Sequence, residues 1–217
     1  MTYALRHGIS YCVVGETPIF LDEIGNRYFT LSEDLSSAFL DLANSAGCEG
    51  RMLDRLIGKG VLVAATKPGP VAPTVPRAPK SSSSYITRGR CDPLDVLRAV
   101  ISQRTALTRI KKGHLSHSLD RIRRVKAKIP SLETPPTAIE RPIRAFEVAK
   151  LFFGHADRCL PRSIALTEHL VRRGISADLI LGVTVIPFAA HAWVQLHDIV
   201  LNDAVEEVRK YTPVLRV

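Results

Sequence analysis

Cys159, His191 and Asp203 follow one another as thiol, imidazole and carboxylate, each in a context that orients it. The first stands in Asp157-Arg158-Cys159-Leu160-Pro161-Arg162-Ser163, the second in His191-Ala192-Trp193-Val194-Gln195-Leu196, and the third in Ile199-Val200-Leu201-Asn202-Asp203-Ala204. A thiol activated by a base, with a carboxylate to hold that base, is the equipment of acyl transfer through a thioester. Pro161 is tolerated in the first turn of a helix and not deeper, so it sets a helix start near Cys159. Ile164, Thr167 and Val171 continue one face of that helix, and Gly174 ends it. At a helix start, unpaired N–H groups and the positive end of the macrodipole favour a thiolate. The Cys159 N–H is there a candidate oxyanion donor. On a strand, His191, Trp193 and Gln195 share one face. With Leu196, His197 and Asp198 as a three-residue hairpin loop, His191 falls opposite Asp203 on the next strand. Singly, a helix-start cysteine, a surface histidine and a strand-end acid are ordinary. As a set they define a site.

The other candidate groups carry less. Cys12, Cys48 and Cys91 show no metal-ligand spacing and read as free thiols in a reducing compartment. His155 precedes the cysteine by four residues, His169 lies inside a helix and His197 in the hairpin loop. None has a partner at metal-binding spacing, so neither a metal nor a cofactor is expected.

The elements that must position the site occupy the C-terminal part of a chain of 217 residues. Residues 67–90, rich in Pro, Ser and basic side chains, read as an interdomain linker. They separate a domain at 1–66 from one at 91–217. The first begins with strand signals at Ile9–Val14, Pro18–Asp22 and Arg27–Leu31. A helix follows, capped by Ser32 and carrying Leu35, Phe39, Leu42 and Ala43, and then a second from Gly50 to Lys59. Three strands and then helices suit a small winged-helix-like unit. In the second domain, Asp92–Lys112 and His114–Lys128 read as helices, with Leu94, Leu97, Val100 and Ile101 as an apolar stripe. Pro130 and Pro135-Pro136 break the pattern, a helix resumes over Arg141–Phe153, and an antiparallel sheet follows the Cys159 helix. The fold class is α+β.

The net charge of +9 is unevenly spread. Residues 1–66 hold five basic and eight acidic side chains, which opposes a phosphate-binding role for the first domain. The basic run from Arg104 to Lys128 reads as a solvated face or a docking surface for a partner protein. No signal peptide and no membrane-spanning run are visible, so a cytoplasmic location is expected.

Cys-Leu-Pro-Arg-Ser, His-Ala-Trp-Val and Leu-Asn-Asp together resemble the transglutaminase-like, papain-related cysteine enzymes. More narrowly they resemble the lasso-peptide B proteins, leader peptidases of microcin J25-type maturation. This resemblance implies Cys159 as nucleophile, His191 as base and Asp203 as the residue orienting it. It also implies a precursor peptide as substrate and a separate ATP-dependent, asparagine-synthetase-like lasso cyclase as partner. The first 66 residues resemble a PqqD-like recognition element, which implies binding of the precursor's leader. The leader would add as a strand to the edge bearing Arg27, Tyr28, Phe29 and Leu31, with Leu53 and Leu56 walling the groove. A true transglutaminase or amidase, and a non-catalytic leader-binding scaffold, are the alternatives.

Overall fold

The computed structural model describes residues 2–45, 48–66, 71–73, 75–83, 91–130, 136–153 and 158–217. The chain forms two compact units, Met1–Val75 and Pro76–Val217.

In the first unit, β1 (Thr2–Leu5) precedes a three-stranded antiparallel meander of β2 (Ile9–Val14), β3 (Thr17–Asp22) and β4 (Arg27–Thr30). The three expected strands are thus present. Asp22 fixes the turn after β3, because its Oδ1 accepts from the N–H groups of Ile24 and Gly25 at 3.2 and 2.9 Å. Two helices follow, α1 (Glu33–Ala43) after Ser32 and α2 (Gly50–Gly58), and then β5 (Leu62–Ala65). β1 and β5 pair antiparallel, Leu5 opposite Leu62. Neither was expected from the sequence. Tyr11, Phe20, Leu35, Phe39 and Leu56 pack in one core. There the Phe39 ring lies edge-on to both Tyr11 and Phe20, at 4.8 Å in each case.

From residue 91 onward the second unit is helical first and a sheet after, as the pattern of elements predicts. It opens with the short strand β6 (Ser81–Ser82), followed by α3 (Pro93–Lys111), α4 (Leu115–Lys126), α5 (Pro136–Ala149) with a 3-10 turn at Lys150–Phe152, and α6 (Cys159–Arg172). The remaining elements are β7 (Asp178–Val185), β8 (Phe188–Leu196), β9 (Ile199–Val200), α7 (Val205–Val208) and β10 (Thr212–Arg216). The strands run β10-β7-β8-β9-β6 across one sheet. α6 is the central helix, buried from Ser163 to Thr167 on every side. Arg109 of α3 grips Glu168 of α6 with two hydrogen bonds of 2.7 and 3.1 Å.

Four expectations need correction. The described part of the proposed linker is not a free spacer. Lys80 and Ser81 donate backbone N–H groups to Asp198, and Ser83 donates to Val200. Ser81–Ser82 is therefore a parallel edge strand of the sheet, while Val71 packs against the first unit's core. In α3 the apolar stripe is turned outward: Leu94, Leu97 and Ile101 are more than half exposed, and Val96, Ala99, Gln103 and Ala106 are buried. The small side chains of Ala99 and Ala106 suit close helix approach better than leucines do. α5 begins at Pro136 rather than Arg141 and carries Pro142 inside it. Finally, the basic run is partly consumed within the unit, by Arg109 on Glu168 and by Lys126 on Asp178.

Candidate active site

Cys159 is the first residue of α6. That helix end is held to the sheet by Ser163, whose hydroxyl donates to the Ala192 carbonyl at 2.8 Å. The edge of β8 is open there because β9 is only two residues long and pairs with Gln195 and Leu196 alone. The hairpin loop is accordingly His197-Asp198, with His197 at φ 55°, and not the expected three residues. The expected strand position of Asp203 is therefore wrong: it lies beyond the end of β9. Asn202 takes over where the strand stops. Its Oδ1 accepts from the Val194 N–H at 2.8 Å and its Nδ2 donates to Ser163 Oγ at 2.9 Å. The buried Asn202 side chain thus ties β8 to α6 and delivers the next residue to the histidine.

His191 Nε2 lies 2.8 Å from Asp203 Oδ2, with both side chains less than one-fifth exposed. Cys159 lines the same cleft as His191, and the two groups shift each other's ionisation. The three residues singled out by the sequence are brought together. Trp193 and Gln195 share the histidine's face as expected, Trp193 Nε1 donating to Gln195 Oε1 at 3.3 Å. Tyr211 stacks on the histidine with ring centroids 5.0 Å apart. Gly182, opposite His191 on β7, makes room for this aromatic layer. A Cβ there would sit 2.9 Å from both Trp193 Cζ3 and Tyr211 Cβ.

The electrostatics follow from these contacts. Burial pushes the Cys159 thiol up, but the hydrogen bond and charge of His191, with the N–H groups of Ala192 and Leu160, outweigh it and leave it below its ordinary value. Burial disfavours the His191 cation, yet Asp203 and Cys159 raise its pKa to about 9. Burial likewise raises Asp203, and His191, the Ala204 N–H and Arg162 more than reverse it. All three shifts favour a thiolate beside an imidazolium at neutral pH.

Cys159 and His191 line a cleft of about 610 Å³ together with Gln103, Lys150, Arg158, Arg162 and Tyr211. Its charged lining apart from the cysteine–histidine pair is cationic. Leu151 lines it too, and the neighbouring Phe152 is 60% exposed. Sequence reasoning missed Gln103, Arg162, Asn202 and Tyr211. Arg162, one turn after Cys159, and Asn202, beside Asp203, were signalled by their position. Gln103 and Tyr211 were not.

Among the remaining sequence candidates, Cys12 is buried and its thiol pushed up to about 11 by that burial. Cys48 and Cys91 are raised as well. His169 is half-buried with its ring edge-on to Phe146, His197 is in the turn, and His155 lies outside the described residues. Arg27 reaches over the Phe29 ring, and Phe29, Leu31 and Leu53 pack partly buried on the first unit's core. Leu56 is fully buried in that core, so it cannot wall a groove. Among the described residues no group of His, Cys, Asp or Glu is placed to hold a metal ion, and no helix is long and apolar enough to cross a membrane.

A helix-start thiol against a strand histidine defines a class of cysteine acyl-transfer folds. The chain belongs to it: the Transglutaminase-like superfamily model matches residues 97–216. No curated protein and no solved structure matches the chain.

Proposed function

We propose that this protein is a cysteine endopeptidase that removes the leader of a ribosomally made lasso-peptide precursor, with Cys159, His191 and Asp203 as its catalytic triad. The observation that carries the reading is the 2.8 Å contact between His191 Nε2 and Asp203 Oδ2, in a histidine that lines one cleft with Cys159. In this mechanism the Cys159 thiolate attacks the scissile carbonyl, forming a C–S bond and moving the carbonyl electrons onto oxygen. The His191 imidazolium protonates the departing amine as the C–N bond breaks. Water, deprotonated by the then neutral imidazole, hydrolyses the thioester and returns the thiolate. Asp203 holds the ring and stabilises its cationic form.

The first unit is proposed as the leader-binding element. β4 pairs only with β3 among the described residues, an arrangement that suits addition of a peptide strand beside Arg27, Tyr28, Phe29 and Leu31, near Leu53. An ATP-dependent lasso cyclase of the asparagine-synthetase-like type would then close the ring on the freed core. Family membership keeps a second resolution in view, capture of the thioester by an amine in place of water.

The test is incubation of the purified chain with a lasso precursor, with and without its cyclase, followed by mass spectrometry. Release of intact leader, lost in Cys159→Ala, supports the reading. An amide-linked adduct without free leader supports acyl transfer instead. Binding of labelled leader by a Cys159→Ala chain that still cleaves nothing assigns recognition and chemistry to separate residues.

A further inference from the structure

Gln103 is 4% exposed, and its side-chain nitrogen has no hydrogen-bond partner among the described residues. Such orphaned donors are rare in folded proteins because water must be given up without a replacement. This one is not in an anonymous part of the core. Gln103 projects from α3 into the lining of the cleft that holds Cys159 and His191. It also borders a smaller void with Leu107, Phe153, Arg158, Pro161 and Arg162, at the first turn of α6. A second buried donor there, Arg162 Nε, is likewise without a partner. Two unmet donors beside one nucleophile mark a place that lacks an acceptor.

We propose that Gln103 is an oxyanion donor, its side-chain amide hydrogen-bonding the carbonyl oxygen of the acyl group attacked by Cys159. The proposal rests on the reading of Cys159 as nucleophile. When the thiolate attacks, the carbonyl π electrons move to oxygen, and the charge needs donors that are already in place. N–H groups in the first turn of α6 supply part of this, since they have no acceptor within the helix. Gln103 supplies a neutral donor from a neighbouring helix, which leaves the thiolate–imidazolium pair unperturbed. Arg162 fits the role less well. Its Nη2 is committed to the Asn202 carbonyl at 3.4 Å and lies 3.8 Å from Asp203. A side-chain amide can turn about its last torsion, so it can present its NH2 group to the cleft once an acceptor arrives.

The experiment compares two reactions of Cys159 in the full chain. p-Nitrophenyl acetate acetylates the thiolate through a tetrahedral oxyanion and releases nitrophenolate. Iodoacetamide alkylates the same thiolate at a saturated carbon, expelling iodide with no oxyanion. Both rates are followed by mass at the Cys159 peptide in the unsubstituted chain, in Gln103→Met and in Gln103→Asn, which withdraws the amide by one methylene. Acetylation is expected to fall roughly 100-fold in Gln103→Met, with alkylation unchanged. Tm should hold or rise, because the substitution removes a buried donor that has no partner to lose. Gln103→Asn gives the same split if the methionine variant does not fold. Acetylation as fast as in the unsubstituted chain overturns the proposal. So does a parallel loss of both reactions, which would place Gln103's effect on the thiol itself. An unreactive Cys159 in the unsubstituted chain overturns the nucleophile reading, and this proposal with it.

Discussion

Asn202 completes the hydrogen bonding of Val194 in place of a strand residue, its Oδ1 2.8 Å from the Val194 nitrogen. The backbone is thereby released from the sheet one residue before Asp203, and the carboxylate can swing to His191. Asn202→Ala should leave the Val194 N–H without an acceptor and Ser163 Oγ without a donor. Each such loss costs about 1–3 kcal/mol. A lower urea midpoint accompanied by a weaker His191–Asp203 coupling is the expected result. Unchanged stability would show that the asparagine is dispensable.

The thiol prediction concerns selectivity. Iodoacetamide near neutral pH should label Cys159 ahead of Cys12, Cys48 and Cys91, whose thiols burial holds above their ordinary value. Peptide mapping after limited labelling measures this. Equal labelling of the three partly exposed cysteines would remove the activated thiolate.

The pH dependence follows from the two opposed shifts. The proposed peptidase activity should rise as Cys159 ionises, below the normal thiol range, and fall as His191 loses its proton at about 9. The stability sign is separate. A histidine with raised folded pKa stabilises fully below its unfolded value of 6.5, and that contribution disappears as pH rises through about 9. His191→Ala should abolish cleavage and return the alkylation profile of Cys159 toward that of an ordinary thiol. Asp203→Asn should retain measurable cleavage, with the alkaline limb moved to lower pH. An Asp203→Asn profile that superposes on the unsubstituted one would deny the carboxylate its role.

His169 makes a prediction of the opposite sign. Burial, then the charge of Arg173, depress its pKa to about 4. Between that value and 6.5 the unfolded chain takes up a proton that the folded one refuses, so stability is lost as pH falls through this window. His169→Gln should flatten the decline, read from urea midpoints across the window. An identical decline would place the acid sensitivity elsewhere.

Gly182→Ala tests the aromatic layer. The new methyl must displace Trp193 or Tyr211 from 2.9 Å, at a cost of about 1–3 kcal/mol typical of overpacking. The histidine stacked on Tyr211 should shift with them, so activity should fall further than stability alone explains. Intrinsic tryptophan fluorescence reports the displacement, because Trp193 is the sole tryptophan.

What local sequence could reveal was set by how local each interaction is. Alternation and turn residues disclosed β2, β3 and β4, Pro161 placed Cys159 at the start of α6, and the parity of His191 and Trp193 was right. β1 and β5 were invisible because each is a strand only through the other, some 60 residues away. The face of α3 was misread because leucines at helical spacing mark a stripe but not which neighbour covers it. That error concealed Gln103, which lies on the buried side. Asp203 was found for an incomplete reason. Its type and order were legible, but the two-residue turn and the Asn202 relay depend on α6 occupying the edge of β8.

The pairing of Ser81–Ser82 with β9 bears on where this chain could be cut and spliced. Ser82 Oγ also accepts from the Val205 N–H at 2.7 Å, Gln195 donates to the Arg77 carbonyl, and Arg209 to that of Pro79. The family match begins at residue 97, so it holds one partner of each of these contacts and leaves out the other, at Arg77 to Ser82. A chimera spliced at that boundary would inherit a donor's foreign tail and leave β9 with a bare, sticky margin. One spliced between Val75 and Pro76 would carry its own selvedge, and the first unit could be traded without unravelling the weave that holds Asp203.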